Sequence, residues 1–246
     1  MSLPVHFVPS LAGVAGGGTV EVTGDEAHHA VAVRRLRVGE QVVLTDGAGT
    51  TALGAVTSTG KRVFSVAVSV VECDEPAQPT VTVVQALPKG ERGELAVEML
   101  TEIGVATIVP WAASRSVAVW RGDRATKSHA RWSATAREAA KQARRAWFPT
   151  VAPLATTADV TSLLGDADLA VVLHEDAAEP FASLPVPASG SIVVVVGPEG
   201  GLADDEVAAF EQAGAHAVRL GAEVLRTSTA GVAAVAALLA RTSRWT

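Results

Sequence analysis

Apolar side chains recur at every second position in several short stretches of the first seventy or so residues. Thr19–Val22, Glu40–Thr45 and Val63–Val68 are β-branched runs that predict short strands, two of them alternating clearly. Gly16–Gly18, Gly39, Asp46–Gly49 and Gly60 punctuate them where turns need permissive backbone. Closely spaced strands of this kind predict a small barrel or curled sheet. One helix, from Glu26 through Val33 with Asp25 as its cap, interrupts it. Asp74–Pro79 then combines prolines and acids in a way no core element tolerates, and predicts a linker. Beyond it the rhythm changes. Runs at Thr80–Leu87, Thr107–Trp111, Leu169–Leu173, Ile192–Val196 and Ala217–Leu220 predict strands. Helical segments at Gly93–Ile103, Arg124–Trp147, Asp204–Ala213 and Thr229–Arg241 alternate with them. Near-continuous Val, Ile and Leu strands separated by helices predict a parallel sheet covered on both faces. The fold class is α/β, with a small N-terminal β-barrel over residues 1–73, a linker over 74–79 and a parallel-sheet domain over 80–246. Ligands are expected at the loops beyond the carboxyl ends of its strands.

Composition narrows the class. With 48% hydrophobic and 19% charged residues, the chain builds a real core and is not a disordered polyampholyte. A formal charge of −6 argues mildly against nucleic acid as a partner of the whole surface. The single Cys73 excludes an internal disulfide and fits a reducing compartment. No apolar run approaches the roughly 18 residues of a membrane span, and Ile192–Val196 is broken by Gly197 and Pro198. The N-terminus has neither a basic region nor a long apolar one of the export type. A soluble cytoplasmic protein without a membrane partner is expected. His28 and His29 diverge by about 100° on a helix and have no companion ligand set, so no metal is expected.

Candidate chemistry collects at three predicted strand ends. Ile192–Val196 runs into Gly197-Pro198-Glu199-Gly200-Gly201, and a helix follows at once. Glycines there let backbone groups approach a ligand, because no Cβ intervenes. The phosphate-loop spacings are absent, and Asp204, Asp205 and Glu206 at the helix start would repel a phosphate. A ligand without phosphate, cationic if charged, suits this loop. The second loop, Leu220-Gly221 through Val224, Leu225, Arg226, Thr227 and Ser228, carries apolar residues, a cation and a natural cap for the last helix in Thr227 or Ser228. The third strand end is Leu173-His174. Together the three make a pocket for a flat heterocycle read by backbone amides.

The GPEGG loop after a buried strand and LGAEVLRTSTA before the final helix resemble the SPOUT superfamily of knotted RNA methyltransferases. Within it, the chain resembles the family that methylates N3 of a uridine in small-subunit (16S) ribosomal RNA. His28–Glu40, Leu87–Arg92, Thr101–Val105, Ser114–Ser116, Arg131-Trp132 and Gln142–Arg145 carry the likeness across nearly the whole chain. Met99 and Lys141 depart from it, since the family commonly has Lys and an acid there. The resemblance implies a SPOUT domain with a trefoil knot, a PUA-like RNA-binding barrel, a homodimer with each site completed by the partner, and bound S-adenosylmethionine. The cofactor residues it implies are Leu173, His174, Gly197, Pro198, Glu199, Gly200, Gly201, Leu220, Gly221, Leu225, Arg226, Thr227 and Ser228.

Cations are concentrated while acids are dispersed, so local fields turn positive despite the net charge. Arg137, Lys141, Arg144 and Arg145 fall on one face of the predicted long helix, and Arg34, Arg35 and Arg37 cluster in the small domain. With Trp132 and Trp147 for stacking, these point to RNA; the resemblance adds Arg115 and Gln142 to the RNA contacts and implies ribosomal RNA or the 30S subunit as the partner. Uracil N3 carries a proton, so its methylation requires a proton acceptor. Glu199 is the nearest carboxylate by motif, though it equally suits a loop-fixing role. Water as acceptor and Arg226 stabilising a uracil anion are alternatives. A SPOUT ribose 2′-O-methyltransferase and a non-catalytic RNA-binding or assembly protein are the rival functions.

Overall fold

The computed structural model describes residues 3–245. The chain forms two compact units: residues up to Pro76 together with Ala140–Phe148, and Ala77–Ala139 together with the residues from Pro149 onward. The expected boundary gave residues 140–148 to the larger part; their contacts place them in the smaller one.

In the smaller unit, β1 (Val5–Phe7), β2 (Thr19–Thr23), β3 (Gln41–Thr45), β4 (Thr50–Thr59) and β5 (Val63–Cys73) form one sheet in the order β1-β3-β4-β5-β2. β1 runs parallel to β3 and the other pairs are antiparallel. β4 escapes a pattern search because Thr, Ser and Gly54 dilute its alternation. Gly54 is needed there, since a Cβ would lie 2.4 Å from the Ala67 carbonyl oxygen. The β4–β5 register slips beside it, between Leu53 and Gly54, as at a β-bulge. The predicted helix begins earlier than expected, as α1 (Gly24–His28), and tightens its path through one π-helical turn at His29–Val33. Asp25 does not cap it: Thr23 holds the cap position without a side-chain bond, and Asp25 pairs with Arg62. Ala27 and Ala30 seat this segment against Val22, Leu44, Phe64 and Val66.

The larger unit contains β6 (Thr80–Ala86), α2 (Arg92–Glu102), β7 (Thr107–Trp111), α3 (Gly122–Gln142, its end counted with the smaller unit), β8 (Thr150–Val151), α4 (Thr157–Gly165), β9 (Leu169–Leu173), β10 (Glu179–Pro180), β11 (Ser191–Val196), α5 (Asp204–Gln212), β12 (His216–Arg219) and α6 (Thr227–Leu239). The strands order as β10-β12-β9-β11-β6-β7-β8, every pair parallel. Both faces are covered. Val81, Val83, Val194 and Val196 pack with Leu100 of α2 and Leu238 of α6. Val84, Val172, Val193 and Val195 pack on the opposite side with Leu164 of α4 and Phe210 of α5. Successive residues of one strand therefore enter different cores, which is why these strands read as unbroken apolar runs.

Two helix ends differ from expectation. α3 stops at Gln142 rather than Trp147, because Arg144 turns to φ 54° and Arg145 N–H donates to the Ala140 carbonyl at 3.0 Å. This is a left-handed closure whose usual sequence signal is Gly or Asn. Arg144 and Arg145 consequently lie beyond the helix, and the single four-cation face does not form. α6 begins at Thr227 with Arg226 at its cap position and no side-chain cap, so neither Thr227 nor Ser228 caps it. Gly231 lets α6 sit close: a Cβ there would lie 3.3 Å from both Leu100 and Val196 side-chain carbons.

Candidate cofactor cavity and RNA-facing residues

β9, β11 and β12 are adjacent in the sheet, and the loops beyond their carboxyl ends line one cavity of about 520 Å³. The first loop brings Leu173 and His174, the second Gly197 through Leu202, and the third Leu220 through Thr227. Every cofactor residue expected from the sequence lines this cavity except Ser228, which is 4% exposed in the first turn of α6.

The glycine loop is shaped by close approaches. A Cβ on Gly197 would sit 3.1 Å from the Leu202 side chain, and one on Gly200 would sit 3.1 Å from the Arg115 carbonyl oxygen. Gly201 holds φ 71° and donates its N–H to the Pro198 carbonyl at 3.0 Å, closing a tight turn. Side chains from elsewhere hold the loop in place. Lys89 N–H donates to Glu199 Oε1 at 3.1 Å. Glu206 is 3% exposed and accepts from three elements: Ser114 N–H at 2.8 Å, Ala203 N–H at 3.1 Å and the Thr157 hydroxyl at 3.3 Å. The Thr227 hydroxyl donates to the Gly197 carbonyl at 2.8 Å and accepts from Gln85 Nε2 at 2.9 Å.

Sequence reasoning did not single out Gln85, and took Glu206 only as a helix-start charge. The signal for Gln85 was a lone amide entering an apolar strand end; for Glu206 it was its place at the third helical position after a glycine loop. Arg92 and Arg219 also line the cavity and were not anticipated. The lining carries both signs, with Arg92, Arg115, Arg219 and Arg226 beside Glu175, Asp176, Glu199, Asp204 and Glu223. Leu173, Leu220, Val224 and Leu225 add apolar surface, Val224 being 74% and Leu225 41% exposed. Such a lining suits a flat heterocycle bearing both charges and no phosphate cluster.

The residues expected to meet RNA divide. Arg34, Arg35 and Arg37 are exposed in the smaller unit, as are Gln142 and Arg144, with Arg145 half-buried. Lys141 requires correction. It is 8% exposed and its ammonium lies 2.9 Å from Glu26 Oε2, while Glu26 Oε1 meets His6 Nδ1 at 3.1 Å. Burial pushes the Glu26 carboxyl up, but the hydrogen bonds from His6 and Lys141 and their charges bring it to a net position below the ordinary Glu value. Lys141 thus holds the smaller unit together rather than presenting charge to a phosphate. Arg115 is also redirected: its guanidinium donates to the Leu202 carbonyl at 2.8 Å and braces the glycine loop. Trp132 is 3% exposed, lies under Gly93 and stacks edge-on with Trp120, so it offers no face to a base. Trp147 donates its indole N–H to the Asp74 carbonyl at 2.8 Å and keeps part of its surface open.

Among the described residues, no helix is long and apolar enough to cross a membrane, and no group of three or more His, Cys, Asp or Glu is placed to hold a metal ion.

Comparison with known proteins agrees with this two-part architecture. The family model for an RNA methyltransferase domain matches residues 75–239, and that for an RNA methyltransferase PUA domain matches residues 22–68. Ribosomal RNA small subunit methyltransferase E of Mycobacterium bovis is 46% identical over 233 residues, spanning 93% of this chain and 89% of its own. The protein of the same name from Bacillus subtilis is 30% identical over 228 residues, spanning 89% of each chain. The crystal structure of a ribosomal RNA small subunit methyltransferase E from Neisseria gonorrhoeae, bound to S-adenosyl methionine, matches with a TM-score of 0.87 at 28% identity, covering 98% of both chains. A PUA-type curled sheet, a parallel α/β domain with a strand-end cavity, and this identity along nearly the full length have one outcome: the chain belongs to the ribosomal RNA small subunit methyltransferase E family of RNA methyltransferases.

Proposed function

We propose that this protein transfers the methyl group of S-adenosylmethionine to N3 of a uridine in small-subunit ribosomal RNA. The observation that carries it is the convergence of three neighbouring strand-end loops on one cavity, in a chain whose relatives are small-subunit ribosomal RNA methyltransferases. The residues present fit the cofactor. Glycines 197, 200 and 201 bring backbone to the ligand, and Leu173, Leu220 and Leu225 give an adenine ring apolar contact. Carboxylates and guanidinia on the same lining match an ammonium, a sulfonium and a carboxylate. When bound, S-adenosylmethionine supplies a methyl carbon made electrophilic by its positive sulfur.

The chain's own residues do the rest. Holding donor and acceptor together in a confined site supplies most of the acceleration. The uridine leaves its stack so that N3 is reachable. Glu199, already oriented by Lys89 N–H, takes the N3 proton, and Arg226 at the start of α6 stabilises the resulting negative charge on uracil. Arg34, Arg35, Arg37, Gln142, Arg144 and Arg145 bind the RNA backbone. The protein acts in the cytoplasm on ribosomal RNA or the 30S subunit as a homodimer. Val232, Ala233, Ala236 and Ala237, half-exposed along α6, supply an apolar face for a second copy. Threading of α6 into a trefoil knot belongs to the same proposal.

Mass spectrometry of ribosomal RNA nucleosides from a strain lacking the gene, before and after complementation, tests the reaction. Loss and recovery of N3-methyluridine is the expected result. Loss of a ribose-methylated nucleoside instead would establish the 2′-O reaction. Unchanged RNA, together with no calorimetric binding of S-adenosylmethionine, would leave a non-catalytic RNA-binding protein.

A further inference from the structure

We infer that Gln85 is a positioning residue that sets two of the three cofactor loops through the Thr227 hydroxyl; this rests on the proposed use of the cavity for S-adenosylmethionine. Gln85 lies near the carboxyl end of β6, fully buried, in register with Val196 of β11, the residue before Gly197. Its Nε2 donates to Thr227 Oγ1 at 2.9 Å and to the Ala86 carbonyl at 3.2 Å. Both contacts demand a donor from Gln85, which fixes the orientation of the amide. The Thr227 hydroxyl has a single proton, and it goes to the Gly197 carbonyl at 2.8 Å. The direction of the relay is therefore set: amide N–H to hydroxyl to carbonyl.

Three separate pieces of chain meet in this relay. Gln85 belongs to β6, inside the sheet between β11 and β7; Thr227 opens α6 and closes the third loop; Gly197 opens the glycine loop. A buried strand residue thus fixes where both loops leave the sheet. Gln85 Oε1 has no hydrogen-bond partner among the described residues. A side chain present only to fill volume would not leave a buried acceptor unmatched, since Met fills the same space without one. The amide is retained for its donors. The Thr227 hydroxyl gives its one proton to the Gly197 carbonyl and takes Gln85 on one of its two lone pairs, so its bonds within the protein act on the loop, although Thr227 also lines the cavity.

The full-length protein tests this with Gln85→Met, Thr227→Val, the double variant and Thr227→Ser. Without ligand, amide hydrogen exchange is expected to accelerate at residues 197–202 in Gln85→Met and Thr227→Val, with β6, β9 and β11 still protected. Calorimetry with S-adenosylmethionine is expected to show about tenfold weaker binding in each, no further loss in the double variant, and wild-type affinity in Thr227→Ser. RNA affinity stays at the wild-type value. Wild-type exchange and affinity in Gln85→Met would overturn the inference. So would affinity loss in Thr227→Val without faster loop exchange, the signature of a direct ligand contact. If Gln85→Met does not fold, the exchange pattern of Thr227→Val against Thr227→Ser decides alone. Failure of the wild type to bind S-adenosylmethionine at all is a separate result, which removes the cofactor assignment and this inference with it.

Discussion

Arg35 and Arg144 hold φ angles of 57° and 54°, a left-handed conformation that a long side chain adopts at a cost of roughly 1–2 kcal/mol. Each closes a helical segment, with Leu36 N–H donating to the Ala30 carbonyl and Arg145 N–H to the Ala140 carbonyl, both at 3.0 Å. Glycine would close both turns with less strain. Arginine there makes sense if the guanidinium is needed on the surface. Arg35→Gly and Arg144→Gly should each leave thermal stability unchanged or raise it by up to about 1 kcal/mol. RNA affinity should fall in both, with the salt dependence shallower by about one counterion per lost phosphate contact. Filter binding across a salt series reads this; an unchanged slope would remove these arginines from the RNA surface. At Glu199, the proposed proton acceptor, Gln keeps an oxygen for Lys89 N–H and loses the carboxylate. Glu199→Gln should lower kcat by about 10²–10⁴-fold while S-adenosylmethionine affinity stays near wild type. A rise in KM for the cofactor without a kcat loss would make Glu199 a loop brace only. The arginine and carboxylate identities were legible in the sequence; their backbone angles and hydrogen bonds were not. An arginine at a left-handed position gives no local sign of it.

The elements that build the cavity differ in how openly the sequence announces them. β7 and β9 have the bounds their apolar runs predict, and β6, β11, β12, α2 and α5 lie within two residues of expectation. Buried parallel strands and a helix facing one core leave a strong periodic trace. α4 was missed although Thr156 and Asp159 form a reciprocal capping box, because the helix is short and its apolar stripe is brief. Backbone and side-chain bonds from Thr156 hold the Asp159 carboxyl below the ordinary range. β8 and β10, two residues each, carry no periodicity to read. Glu206 joins these pieces: one carboxylate from α5 holds the loop after β7, the start of α4 and the end of the glycine loop. Replacing it with Ala leaves two backbone N–H groups unmatched. Glu206→Ala should cost about 3 kcal/mol, read as a lower denaturant midpoint with an unchanged slope. Little change would show that water replaces the carboxylate.

Stability against acid is a property of the molecule as a whole, and Glu26 gives the smaller unit a defined contribution to it. Its folded carboxyl titrates below the ordinary Glu value of 4.5, so its stabilisation is fully present above that pH and is lost as pH falls through the folded value. Thermal melts between neutral pH and pH about 3 should show a steeper acid loss in the wild type than in Glu26→Gln, which should start less stable at neutral pH. Parallel melting curves would remove the His6–Glu26–Lys141 cluster from the acid response. The segment Ala140–Phe148 supplies more than Lys141: Phe148 packs beside Phe7 and over Gly47, and Trp147 covers Gly49. The composition break at Asp74–Pro79 marked where the chain leaves the smaller unit. Nothing in the sequence marked its return, because the helical pattern of α3 reads on past Gln142 into the returning residues without a Gly, Asn or Pro to stop it.

That return makes the smaller unit discontinuous in the gene. A fragment ending at Pro76 would lack its own Lys141, Trp147 and Phe148, and should melt well below the same module in the intact protein. Its complement would carry those side chains with no cognate surface to receive them. The two units cannot be exchanged as independent cassettes by a single recombination event without parting Ala140–Phe148 from the surface it packs on.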